Sequence, residues 1–98
     1  MYGTVMRARA TAGNRQAVVA MMGEGLETNG FRATYVLLPD DEEDAVVAAI
    51  VFEDRETYSA NAHDPATEAW YGRFRALLAD DPEWTDGDWI SFLRSATS

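Results

Sequence analysis

With 98 residues, 47% of them hydrophobic and 11% aromatic, the chain fits one globular domain, residues 1–98, and leaves no room for a second. A net charge of −9, with all eight basic residues arginine, repels phosphate backbones and anionic lipid, which argues against nucleic-acid and membrane partners. The absence of cysteine removes disulfides, thiolate metal sites and cysteine nucleophiles, and suits a cytoplasmic protein.

Residues 2–10 alternate, with Tyr2, Thr4, Met6, Ala8 and Ala10 on one side and Gly3, Val5, Arg7 and Arg9 on the other. That period of two predicts a strand rather than the continuous apolar run of a signal peptide. After a turn at residues 11–14, Val18, Met21, Met22 and Leu26 fall at helical spacing within residues 15–27, and Asn29-Gly30 supplies the stop. Residues 31–38 alternate as a second strand that Pro39 ends. Five consecutive carboxylates, residues 40–44, then lead into Ala45–Phe52, a strand with no polar position. The run lacks the alternating ligands and central glycine of a calcium loop, so it reads as a solvated hairpin tip.

Asp54 can cap a short helix that carries Glu56 and Tyr58. Asp64-Pro65 opens a longer helix over residues 66–79, with Ala66, Trp70, Arg73, Phe74, Leu77 and Leu78 on one side. Asp86-Gly87 reads as the turn into a last strand over residues 88–93.

The order is strand, helix, hairpin, helix, strand. It predicts an α+β class, a ferredoxin-like βαββαβ antiparallel sheet with its helices on one face. The first and third strands would lie in the middle. A third strand facing water on one side should show polar alternation, and Ala45–Phe52 shows none. A second copy of the chain, packed sheet to sheet, is the expected cover, which makes the protein a homodimer. Alternation puts Ala48, Ile50 and Phe52 on one face and Val47, Ala49 and Val51 on the other, without saying which set meets the partner.

Several stretches resemble a known family: Arg7 on the first strand, the Gly13-Asn14 helix entry and the run from Val51 to Asn61. The helix with Trp70 and Phe74 and the sequence Asp81-Pro82-Glu83-Trp84 add to the match. Over nearly its whole length the chain resembles the dimeric α+β barrel superfamily, particularly antibiotic-biosynthesis-monooxygenase-like proteins. The resemblance implies oxidation of a phenolic or quinol metabolite by dioxygen in an apolar pocket between helices and sheet, without flavin, haem or metal. No cofactor is expected, and no glycine-rich dinucleotide loop is present. A lone histidine without cysteine also argues against a metal site.

In that light Asn61, His63 and Trp70 are the candidate catalytic residues. Asn61 would donate to substrate or dioxygen, and His63, the chain's one histidine, would serve as the base. Trp70 is either a core side chain or a pocket wall with its indole N–H aimed at the ligand. Arg7, Tyr58, Arg73 and Phe74 are the candidate substrate-binding residues. Arg73 would reach a carboxylate or bind a phenolate, and Arg7, on a central strand, must be paired or line a cavity. Tyr35 and Tyr71 are further phenolic candidates.

Two other readings stay open. One is a non-catalytic dimeric domain that binds a small aromatic or apolar ligand. The other is haem degradation, from which the chain departs: its first strand has no asparagine, and no histidine follows Trp70 on its helix.

Overall fold

The computed structural model describes residues 1–24 and 28–93. Along the chain run β1 (Tyr2–Arg9), α1 (Arg15–Gly23), β2 (Phe31–Leu37), β3 (Ala45–Phe52), α2 (Arg55–Ala62), α3 (Pro65–Arg75) and β4 (Glu83–Asp88). The sheet order is β2-β3-β1-β4 with every neighbouring pair antiparallel, the ferredoxin-like arrangement expected. The expected extension of the first helix through Leu26 to Glu27 lies outside the described residues.

The helices cover one sheet face. Met6, Ala8 and Ala10 from the first strand and Val46 and Ala48 from β3 are buried there with Val18 of α1, Phe74 of α3 and Leu78. The face of β3 that carries Ala48, Ile50 and Phe52 therefore meets the helices. The opposite sheet face carries Val5, Tyr35, Leu37, Val47, Ala49 and Val51, with Tyr35 68% and Leu37 64% exposed. Within the described chain Trp89 covers its Gly3 end, and the Tyr35 and Leu37 end stays exposed.

Local chemistry sets the helix entries. Asp54 accepts a hydrogen bond from the Thr57 N–H at 2.8 Å and opens α2. That bond holds the Asp54 carboxyl below the usual carboxylate range. Asp64 accepts from the Ala66 N–H at 2.8 Å, with Pro65 at the first helical position of α3. Arg15 fastens α1 to the hairpin by donating to the carbonyls of Ala45 at 3.0 Å and Pro39 at 3.1 Å. Gly30, at φ +83°, turns the chain into β2 and accepts from the Glu53 N–H at 2.7 Å.

Two boundaries differ from the sequence reading. The helix expected over residues 66–79 ends at Arg75, because the following backbone bonds to the end of the first strand instead. Thr11 N–H donates to Leu77 O at 2.9 Å, and Ala79 N–H donates to Arg9 O at 2.8 Å. The last strand is Glu83–Asp88, not residues 88–93. Pairing of Arg7 with Glu83 and Tyr2 with Asp88 uses up β1, so residues after Asp88 have no strand left to pair with. Asp86 and Gly87 thus sit inside a strand rather than at a turn.

Beyond β4, Trp89 is held by its backbone N–H on Met1 O at 2.9 Å and by its indole N–H on Ile50 O at 3.2 Å. Gly3 makes room for it. A Cβ at Gly3 would lie 1.8 Å from Ile50 O and 2.7 Å from the Trp89 indole nitrogen. Ile90, Phe92 and Leu93 then project outward, 78–92% exposed.

Candidate functional site

Between the helices and the covered sheet face lies a cavity of about 860 Å³. Its walls are largely apolar and aromatic, with Phe31, Phe52, Trp70, Tyr71 and Trp84 among them. This is the location and lining typical of a small-molecule site. Polar groups interrupt these walls at Thr4, Thr28, Thr34, Tyr58, Asn61 and Thr67 and at three carboxylates, Glu24, Glu68 and Asp86.

On the sheet side stands Thr4, which is 1% exposed and whose hydroxyl lies against the Tyr58 phenol, short of a well-formed hydrogen bond. Its register partner on β4 is Asp86. Tyr58, from α2, reaches across and donates its phenol O–H to Asp86 Oδ1 at 2.9 Å. Desolvation, followed by the hydrogen bond and negative charge of Asp86, pushes the Tyr58 phenol up to about 12. The phenol is thus held protonated, as a donor.

The sign of the resulting pH dependence is fixed. Below the ordinary tyrosine value of 10.0 the phenol is protonated in both folded and unfolded chains, and its contribution to stability is complete. As pH rises from there to about 12, the unfolded chain releases the proton first, so stability falls. Tyr58→Phe is expected to flatten that alkaline decline in urea unfolding and to remove the latest-titrating component of the phenolate absorbance.

On the helix side, Asn61 lines the cavity near the end of α2. Thr67 of α3 donates its hydroxyl to Asn61 Oδ1 at 3.0 Å, which fixes the amide. The Asn61 NH₂ then has no acceptor among the described residues and is the donor left for a ligand. Trp70 also lines the cavity, but its indole N–H donates to Met21 O at 3.1 Å. Its ring stacks on Phe74 with centroids 4.8 Å apart and planes at 13°. Trp70 is therefore both core and wall, and it offers the ligand an aromatic face rather than a hydrogen bond.

The structure brings Tyr58, Asn61 and Trp70 together and leaves the other candidates elsewhere. Phe74 is fully buried behind Trp70. His63 ends α2 on the outside, its Nδ1 2.8 Å from the Ser59 carbonyl, so that nitrogen carries the proton. Arg73 does not line the cavity and pairs with Glu24 of the cavity wall, 3.6 Å distant in the same chain. Arg7 lies on the uncovered sheet face, paired with Glu42 of the hairpin tip. Thr4, Trp84 and Asp86 were missed by the sequence reading. Thr4 carried one usable signal, as a hydroxyl among the apolar residues of its strand face.

Among the described residues, no group of three or more His, Cys, Asp or Glu is placed to hold a metal ion, and no helix is long and apolar enough to cross a membrane.

No protein-family model matches the sequence, and no curated protein matches it. Solved structures do. SnoaB, described as a cofactor-independent oxygenase from Streptomyces nogalater, superposes as a variant with a TM-score of 0.80 at 18% identity, covering 96% of this chain and 97% of that one. The fold is that of the antibiotic biosynthesis monooxygenases. A structure given that description from Deinococcus radiodurans has a TM-score of 0.77 at 12% identity and covers 97% and 98% of the two chains. Another from Chloroflexus aurantiacus has a TM-score of 0.73 at 24% identity, covering 93% and 96%. The resemblance read from Arg7, residues 51–61 and the Trp70 helix thus holds at the level of the monooxygenase fold.

Proposed function

We propose that the chain is a small cofactor-independent monooxygenase, cytoplasmic and homodimeric, that oxidises an aromatic phenol or quinol-type metabolite with dioxygen in the cavity. The observation that carries this reading is the aromatic-lined cavity of about 860 Å³, in a fold it shares with a cofactor-independent oxygenase.

The chemistry needs little from the protein. In an anthrone-type substrate, the activated ring methylene loses both hydrogens and gains a carbonyl oxygen. The second oxygen atom of dioxygen leaves with those hydrogens as water, and the substrate supplies all the electrons. The site must orient the rings, exclude water and stabilise charge as it develops. Trp70 and the other aromatic walls serve the first two tasks. The Asn61 NH₂ serves the third, and the Tyr58–Asp86 pair holds a substrate hydroxyl.

Oxygen uptake with hydroxynaphthalenes and anthrones tests the proposal. Uptake above the uncatalysed rate, with quinone appearing in equal amount, is expected. The positions of His63 and Arg73 outside the cavity favour a second reading, a dimeric domain that binds an aromatic ligand without turning it over. Binding with no oxygen uptake across the substrate panel would select it.

The uncovered sheet face supports the homodimer, since exposed apolar patches of this kind mark interaction surfaces. Light scattering at micromolar concentration is expected to give the mass of two chains, and a one-chain mass overturns that part of the proposal.

A further inference from the structure

His63, the base expected from the sequence, lies outside the cavity, and the described lining contains no histidine, lysine or arginine. A phenolic ligand that loses a proton there needs another acceptor. Three carboxylates reach the wall, Glu24, Glu68 and Asp86, and all three are exposed, open to exchange protons with water. Glu24 is taken up by Arg73 at 3.6 Å. Asp86 is the one bonded, among the described residues, to another side chain of the lining: the Tyr58 phenol donates to its Oδ1 at 2.9 Å.

Tyr58 stands between the cavity and that carboxylate. Its ring is held edge-on by Tyr2, with centroids 5.3 Å apart, and by Phe52 at 5.5 Å, which fixes where its oxygen lies. A phenol has one hydrogen and two lone pairs. The hydrogen is committed to Asp86, and the buried Thr4 hydroxyl lies against the same phenol. Toward the cavity, which Tyr58 lines, the oxygen is therefore an acceptor, and toward Asp86 it is a donor. Desolvation and the nearby Asp86 push the phenol up to about 12, so it passes a proton by taking one as it gives one, not by ionising first.

We infer that Tyr58 and Asp86 form the proton exit of the cavity, joining a ligand hydroxyl inside to water outside. The ligand gives its proton to the Tyr58 oxygen as the phenol gives its own to Asp86, and Asp86 releases it to solvent from exposed β4. One O–H bond breaks on the ligand and one on Tyr58, while one forms on Tyr58 and one on the carboxylate. No electron moves in this step. When the second oxygen atom of dioxygen leaves as water, the same path carries a proton back, so the whole reaction neither takes up nor releases any. The inference rests on the monooxygenase reading for its purpose, but its test does not depend on turnover alone.

Oxygen uptake with hydroxynaphthalenes and anthrones gives the first measurement. Asp86→Asn keeps an oxygen for the phenol's hydrogen bond but cannot take up a proton. It is expected to lower kcat by at least about tenfold with KM nearly unchanged, as loss of a general base does. Asp86→Glu should restore most of the rate. Because the two groups act in series, Tyr58→Phe combined with Asp86→Asn should be no slower than the slower single variant. The second measurement needs no oxygen. Naphthol becomes a strong acid on excitation, and its anion emits at longer wavelength than the neutral molecule. With protein in excess and air removed, bound naphthol should show the anion's band in the unaltered chain and mostly the neutral band in Tyr58→Phe and Asp86→Asn.

Additive losses in the double variant overturn the inference, as does a loss seen with Glu68→Gln and not with Asp86→Asn. Neutral emission from naphthol bound to the unaltered chain does the same. Anion emission that depends on Tyr58 and Asp86, without oxygen uptake, removes the monooxygenase reading and leaves the proton exit standing. Oxygen uptake that Asp86→Asn leaves unchanged does the reverse. A chain that neither oxidises nor binds these phenols loses both.

Discussion

Phe74→Ala is expected to cost the fold about 3–5 kcal/mol, the range for emptying a fully buried phenylalanine site. Phe74 is 0% exposed and sits at the centre of the core between Met6, Val18, Val46 and Leu78. Its ring backs Trp70 at 4.8 Å and contacts Tyr71 at 6.4 Å, so the substitution opens a void and withdraws support from two cavity walls at once. Domains of this size are stable by only about 5–15 kcal/mol, which makes the loss a large share of the total. Urea unfolding followed by circular dichroism measures it. Phe74→Leu, which keeps most of the volume, should cost less than half as much. Equal losses for the two substitutions would mean that the ring, rather than the filled space, carries the effect.

The second large effect concerns chemistry. Asn61→Ala is expected to lower turnover of a phenolic substrate by about a hundredfold, the usual loss when one donor to a developing oxyanion is removed. KM should move little, because in the proposed mechanism the Asn61 NH₂, left free by the Thr67 bond to Oδ1, meets charge that appears only during reaction. Thr67→Val leaves that NH₂ in place but frees Oδ1, so a smaller loss is expected, with the amide able to turn. Trp70→Phe provides the contrast. Its indole N–H is committed to the Met21 carbonyl, so the change should reduce stability more than turnover. Turnover unaffected by Asn61→Ala removes Asn61 from the proposed mechanism.

The sequence exposed some of this site and concealed the rest for identifiable reasons. The fold was legible because each element carries its own period: strict alternation over residues 2–10, helical spacing around Trp70, and no polar position in Ala45–Phe52. The Asp64-Pro65 helix entry was equally local, since capping involves residues only a few positions apart. Asn61, Tyr58 and Trp70 could be placed near the pocket because their helices lie over the sheet.

What escaped depends on contacts across the chain. Thr4 matters because Asp86 stands opposite it, and that register follows from the pairing of β1 with Glu83–Asp88. Asp86 was hidden by its neighbour, since an aspartate before a glycine reads locally as a turn. That apparent turn placed the last strand over residues 88–93, whereas β1 pairs with Glu83–Asp88. The indole bond of Trp70 to Met21 and the turn of Arg73 toward Glu24 both require α1 and α3 to be side by side. Helical spacing put Arg73 near the Trp70 face, but only this packing paired it with Glu24.

The bare side of the sheet has a consequence for every stability measurement made on this protein. Tyr35, Leu37 and the projecting Ile90, Phe92 and Leu93 lose water contact only when another molecule supplies the surface. In the proposed homodimer, folding and pairing become a single equilibrium, and dilution acts as a mild denaturant. The thermal midpoint should climb as the protein is made more concentrated. The losses expected for Phe74→Ala are therefore comparable between variants only at matched protein concentration.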